Sequence, residues 1–163
     1  MLRGLFHSTA QGLDLANSAL FDQTTFYRRF VGDLRQAQSE VVIESPFLTT
    51  RRIADLMPAF RQLRSCNVTI TVNTRHPDEH DEYLGLEADQ SIAMLQGIGV
   101  RVLFTGGHHR KLAILDRRVL YEGSLNILSQ NDSCEIMRRI ESEAAAKQMI
   151  KFVQLDKFLD HSI

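Results

Sequence analysis

His109-Arg110-Lys111-Leu112-Ala113-Ile114-Leu115-Asp116, followed by Gly123-Ser124-Leu125-Asn126, decides how this chain is read. As a pattern the stretch is H-x-K-x4-D-x6-G-S-x-N. Lys111 to Leu115 reads as a strand, Asp116-Arg117-Arg118 as a turn, and Val119-Leu120-Tyr121 as the returning strand of a hairpin-like pair. Side chains two residues apart on an extended chain share a face, so His109 and Lys111 point together and His108 points the other way. An imidazole and an ammonium thus stand side by side, and Ser124 and Asn126 lie in a small polar turn that offers hydroxyl and amide donors. Gly123 lets the backbone come close there.

Working outward, strands and helices alternate. Gln23 to Gln38 reads as a helix with Phe26, Phe30, Val31 and Leu34 on its buried side. Val41-Val42-Ile43 is a buried strand that stops at Ser45-Pro46. Thr50 sits where an N-cap belongs, before a helix through about Leu63 carrying Ile53, Leu56, Met57 and Phe60, and Pro58 is expected to kink or shorten it. Val68 to Val72 is a strand, and His76 to Glu82 is a solvated acidic loop without a metal-ligand spacing. Ala88 to Gln96 is a helix ended by Gly97-Ile98-Gly99, and Val100 to Phe104 a third strand. Glu135 to Met137 begins a further strand. Ser142 onward is helical, with Met149, Phe152, Leu155 and Leu159 at helical spacing. The fold class expected is α/β, a mixed β-sheet flanked by helices, in one domain spanning residues 1–163.

Composition narrows the function. The net charge of −1 gives no global field for a polyanion, but fifteen of the nineteen cations are arginine. Arg28-Arg29, Arg51-Arg52, Arg117-Arg118 and Arg138-Arg139 are doublets whose guanidinium forks suit phosphate, although solvated surface arginine is the plainer reading. Cys66 and Cys134 have neither metal nor disulfide spacing and read as small buried residues in a reducing compartment. Met1 to Ser8 lacks the apolar run of a signal peptide, and no run approaches the ~20 residues that cross a bilayer, so a cytoplasmic protein is expected.

The H-x-K-x4-D-x6-G-S-x-N pattern resembles the HKD motif of the phospholipase D superfamily, which cleaves phosphodiesters, and the single motif resembles that of its small bacterial endonucleases. The resemblance implies a phospholipase D-like α/β sandwich. It makes His109 the motif histidine, Lys111 the phosphate-binding lysine, and Asp116 the motif aspartate, more often structural than a participant. Ser124 and Asn126 match its phosphate-binding element. Glu135 is the candidate for the glutamate that orients the histidine, at a slightly short distance from Asn126.

This inventory suits a phosphodiester, which needs a nucleophile, positive charge around phosphorus and an acid opposite the attack. An imidazole can form a covalent phosphoryl-enzyme, a second can protonate the leaving oxygen, and an ammonium can neutralise the nonbridging oxygens. Neither a cofactor nor a metal is expected. Each residue also has a structural reading (a strand histidine, a polar hairpin turn, a capping asparagine), and their joint spacing weighs against it. Because the chain holds one motif where the superfamily brings two together, a two-fold homodimer sharing one site is expected. The expected function is a metal-independent nuclease for DNA or RNA, alone or beside helicase or restriction machinery. A phospholipid hydrolase or phosphatidyltransferase, and a noncatalytic nucleic-acid-binding module, are the alternatives.

Overall fold

The computed structural model describes residues 17–130 and 133–159. Met1 to Ser8, read above for a signal peptide, lies outside the described residues. The elements in chain order are β1 (Ser18–Asp22), α1 (Phe26–Leu34), β2 (Glu40–Glu44), α2 (Thr50–Ser65), β3 (Thr69–Thr74), α3 (Glu82–Gln96), β4 (Arg101–Phe104), β5 (Leu112–Leu115), β6 (Val119–Gly123), β7 (Ile136–Glu141) and α4 (Glu143–Phe152). They build one seven-stranded mixed sheet in the order β1-β7-β6-β5-β2-β3-β4.

Connection length explains the topology. The helices α2 and α3 carry the chain back across the sheet, so β2, β3 and β4 run parallel, whereas a tight turn at Asp116–Arg118 makes β5 and β6 antiparallel and a longer connection returns β7 antiparallel to β6. The two halves meet where β5 lies antiparallel to β2, pairing Glu44 with Leu112 and Val41 with Leu115.

Two apolar layers cover the sheet, and β2 shows how one strand serves both. Val41 and Ile43 point into the layer built with α1, α2 and α3, and Val42 points into the layer built with α4. Burial on both faces is why the strand reads as a continuous β-branched run. In the larger layer, Phe26 and Phe30 stack with ring centroids 5.0 Å apart and both meet Tyr121 edge-on. The Tyr121 hydroxyl and the Arg139 guanidinium end on the buried Asp33 carboxylate, which Arg29 also approaches. Desolvation, followed by that carboxylate, pushes the Tyr121 phenol well above its usual range.

Several sequence expectations need correction. Helix α2 runs through Pro58 unbroken to Ser65, because Pro58 and Ala54 both lie on its exposed side, where water can satisfy the carbonyl freed by proline. Thr49, not Thr50, is at its N-cap, and the Thr50 N–H and hydroxyl are taken by Glu87 Oε2 at 2.8 and 3.0 Å. Helix α3 starts at Glu82 rather than Ala88, since the Asp81 carboxylate accepts from the Leu84 N–H. Cys66 and Cys134 are both exposed, one ending α2 and the other in the chain leading to β7, not buried. Phe152 is also exposed: α4 ends there, and Leu155 and Leu159 reach the core from a separate 3-10 turn. Strand β1, pairing with β7, had no counterpart in the reading of the sequence.

Candidate active site

The C-terminal ends of β2, β3 and β6 and the N-terminal ends of β5 and β7 open onto one edge of the sheet. The H-x-K segment crosses that edge. His109 lies in the extended segment entering β5, which begins at Leu112 rather than Lys111. The alternation of faces holds nonetheless. His108 is 3% exposed, while His109 is exposed and its ring meets only the edge of Phe47, with centroids 6.2 Å apart.

Both ring nitrogens of His108 are committed. Nδ1 accepts from the Arg110 N–H at 3.2 Å, so Nε2 carries the proton and faces the Asn73 carbonyl at 3.2 Å. Burial pushes the His108 pKa below the usual imidazole range, against the pull of Glu44. His109 makes no hydrogen bond through its ring among the described residues.

Lys111 Nζ donates to the His109 carbonyl at 2.9 Å, which keeps the ammonium beside the imidazole. Across the β5–β6 pair, the Gly123 N–H donates to the Lys111 carbonyl at 3.3 Å and brings the Gly-Ser-Leu-Asn turn alongside. Ser124 is set by β7: its N–H donates to the Ile136 carbonyl at 2.9 Å and its Oγ accepts from the Ile136 N–H at 3.1 Å. The backbone after Ser124 is held by Tyr27, whose hydroxyl donates to the Ile127 carbonyl at 3.0 Å. Arg52 lies 3.6 Å over the Tyr27 ring. Asn126 Oδ1 is buried without a hydrogen-bond partner among the described residues.

His109, Lys111, Ser124 and Asn126 therefore share one edge. Asp116 does not. Five residues along the chain from Lys111, it lies roughly 16 Å away at the far end of β5. Its carboxylate accepts from the N–H groups of Gln38, Ser39 and Glu40 and from the Ser39 hydroxyl. Glu135 precedes β7 on the site edge; its carboxylate accepts from the Ser133 hydroxyl at 2.6 Å, and its N–H donates to Gln23. The register puts Met137 across from Lys111 and Glu135 two residues further along, roughly 12 Å from Lys111.

The sequence reading missed Glu44 and Asn73, which sit directly beneath the H-x-K segment. A lone glutamate at the end of an apolar strand gives no signal of its own until its pairing with β5 is known. The arginine doublets are largely spent inside the chain: Arg117 pairs with Glu40, Arg118 with Glu141, Arg139 and Arg29 with Asp33, and Arg52 with Asp55. Arg28 and Arg51, both exposed, form no ion pair among the described residues. No group of three or more His, Cys, Asp or Glu side chains among the described residues is placed to hold a metal ion. No described helix is long and apolar enough to cross a membrane.

A family model described as "Cardiolipin synthase, PLD-like domain" matches residues 30–156. The chain belongs to this phospholipase D-like family. Its fold is that of Nuc from Salmonella typhimurium, a phospholipase D family member, with a TM-score of 0.69 at 13% identity over 84% of this chain and 91% of the other. NucT from Helicobacter pylori is similar with a TM-score of 0.65 at 17% identity, over 84% of this chain and 92% of that one. TrmBL2, an archaeal chromatin protein described with a novel mode of DNA binding, matches 90% of this chain and 54% of its own at 11% identity, with a TM-score of 0.58. At these identities the likeness is one of fold. Among proteins of curated function, none matches this chain by sequence.

Proposed function

We propose that the chain is a metal-independent phosphodiesterase acting on DNA or RNA through a phosphohistidine, with the site shared by two copies. The observation that carries this reading is the contrast between His108 and His109, one buried with both nitrogens spent and the other exposed beside Lys111, Ser124 and Asn126. In the proposed reaction an imidazole nitrogen of His109 attacks phosphorus. The P–N bond forms as the P–O bond to the leaving group breaks, and a second imidazole gives that oxygen its proton. Water then displaces the histidine, its P–O bond forming as the P–N bond breaks, and the second imidazole takes a proton from that water. Lys111, Ser124 and Asn126 neutralise and orient the nonbridging oxygens, and Glu135 is assigned to orienting the histidine.

The second imidazole has no source among the other described histidines. His108 is buried and His76 caps the 3-10 turn Pro77–Glu79, while His80 is assigned to packing on the Phe47 ring that also meets His109. A two-fold homodimer placing both His109 rings at one phosphorus supplies it. Arg28 and Arg51 suit nonspecific phosphate contact, and the DNA binding of TrmBL2 fits a nucleic-acid substrate.

Phosphatidyl transfer is the second reading, favoured by the description of the matching family model. One experiment separates the two: pure protein with EDTA is given labelled single- and double-stranded DNA, RNA and phosphatidylcholine vesicles, with His109→Ala in parallel and light scattering for the subunit count. Cleavage of nucleic acid that survives EDTA and vanishes in His109→Ala is expected. Choline release without nuclease activity replaces the substrate, and cleavage by His109→Ala removes the mechanism.

A further inference from the structure

Two adjacent histidines and two adjacent cations, His108-His109-Arg110-Lys111, make a segment that is nearly self-similar when shifted by one residue. A slip of one residue would bury His109 and Arg110's neighbour Lys111 while presenting His108 and Arg110 to substrate. On a strand the surrounding hydrophobic pattern sets the register; these four residues precede β5, and although the Gly123 N–H holds the Lys111 carbonyl, the three before it lack that support.

Glu44 supplies it. The side chain is 0% exposed at the last position of β2. Its Oε2 accepts from Arg110 Nε at 2.6 Å and its Oε1 from an Arg110 terminal nitrogen at 2.8 Å, a bidentate fork. Oε1 also accepts from Asn73 Nδ2 at 2.7 Å, and Asn73 Oδ1 accepts from the Thr105 hydroxyl at 3.0 Å. The Asn73 carbonyl faces His108, whose other nitrogen accepts from the backbone of Arg110. Glu44 and Asn73 come from neighbouring strands, β2 and β3, so the even-numbered side chains of the segment are tied to the centre of the sheet. A buried carboxylate is costly unless fully paired, and only a planar fork at position 110 pairs it; the lysine of a slipped register would not.

We propose that Glu44 is a positioning residue: through Arg110 and Asn73 it pins the register of the 108–111 segment and so selects His109, not His108, as the exposed imidazole, with Lys111 on the same side. The claim rests on reading His109 as the attacking group, but its structural half can be tested without turnover.

The test compares wild type with Arg110→Lys, which keeps the charge and loses the fork, and with the double variant Glu44→Leu/Arg110→Leu, which replaces the buried pair by apolar groups and avoids leaving a charge stranded. Imidazole NMR follows His108 and His109 with pH, and cleavage kinetics are measured beside His109→Ala. In wild type, His108 titrates below the range of a free imidazole. In the double variant the melting temperature stays close to that of wild type, whereas Arg110→Lys, which leaves the Glu44 carboxylate incompletely paired, melts lower; in both, the His108 titration moves up toward that range and kcat falls on the order of 10- to 100-fold, as expected when a reacting group is misplaced, with KM little changed. A folded double variant whose His108 titration is unmoved and whose kcat is that of wild type overturns the proposal. If that variant does not fold, Arg110→Lys with an unchanged His108 signal and rate overturns it equally. A wild type without activity on any substrate, but with the His108 titration shifted in the variants, leaves the register pin standing and removes the catalytic reading instead.

Discussion

Asp116 Oδ1 accepts two hydrogen bonds from Ser39, one from its N–H at 2.9 Å and one from its hydroxyl at 2.8 Å. The motif aspartate therefore clamps the chain entering β2, at the end of the sheet away from His109. Asp116 and Arg117 have φ of 50° and 51°, and the Arg118 N–H donates to the Leu115 carbonyl at 2.9 Å. This is the tight turn that the twist of a β-hairpin favours, at a residue type that tolerates positive φ.

Burial would raise the Asp116 pKa, but the N–H groups of Glu40, Gln38 and Ser39 and the Ser39 hydroxyl outweigh it and hold the carboxyl below its usual range. Because the folded pKa is depressed, the stabilisation is fully present above the unfolded value of about 4 and is lost as pH falls below it through the folded pKa. Asp116→Ala, which strands three backbone donors, should cost about 1–3 kcal/mol and flatten the acid limb of the stability profile. Denaturant melts of both proteins between pH 7 and strongly acid conditions check this. Loss of activity without loss of stability would move Asp116 into the chemistry.

Gly123 is required by close packing rather than by its φ. A Cβ there would overlap the Ile136 carbonyl oxygen and lie 2.9 Å from Met137 Cα, so β6 and β7 would have to part. Gly123→Ala should cost at least about 1–3 kcal/mol. It should also shift Ser124, whose N–H and Oγ bond to Ile136, so that cleavage falls more than the melting temperature alone explains. A fully active Gly123→Ala would show that the Ser124 turn does not touch phosphate.

Tyr27 links the helical layer to the site. Desolvation pushes its phenol up to about 12, with Arg52 opposing the shift and Asp55 adding to it. The hydroxyl therefore remains a donor to the Ile127 carbonyl well into alkaline pH. Tyr27→Phe keeps the ring beneath Arg52 and removes only that donor. A loss of about 1 kcal/mol in denaturant melts is expected, with a several-fold fall in cleavage rate; ultraviolet titration should show two of the three tyrosines, Tyr27 and Tyr121, resisting ionisation near pH 10 in wild type and one in Tyr27→Phe. A Tyr27→Phe protein with both values intact would detach Tyr27 from the site.

What could be read from the sequence followed local physics. The β-branched run at 41–43, the alternation at 68–72 and the aromatic spacing at Phe26 and Phe30 each announced a buried element, and all three are there. The faces of His108 and His109 followed from extended-chain alternation. Nonlocal facts stayed hidden. Ser18–Asp22 is an edge strand with two exposed and two half-exposed apolar or small side chains, so its pairing to β7 left no hydrophobic signature. Glu44 became legible only once β2 was known to pair with β5, and the arginine doublets only once their carboxylate partners were placed. Pro58 misled because the cost of a helical proline depends on which side of the helix it occupies.

Lys111 is held by a single hydrogen bond to the His109 carbonyl, which leaves two of its ammonium donors for other acceptors. That bond fixes the charge within reach of whatever His109 attacks, where charge accumulates on the nonbridging oxygens. Lys111→Met removes the charge but keeps much of the apolar stem, so the fold should be preserved and the melting temperature nearly unchanged. Losing one such preorganised donor typically costs about 10²–10³-fold in kcat, and the same scale is expected here. Lys111→Arg should recover part of the substrate affinity and little of the rate, because its fork cannot occupy the position of a compact ammonium. Steady-state kinetics on whichever substrate wild type cleaves, with salt held constant, decide the matter. A Lys111→Met protein with wild-type kcat would mean that the charge opposing phosphate comes from elsewhere, and the exposed Arg28 and Arg51 would be the next residues to change.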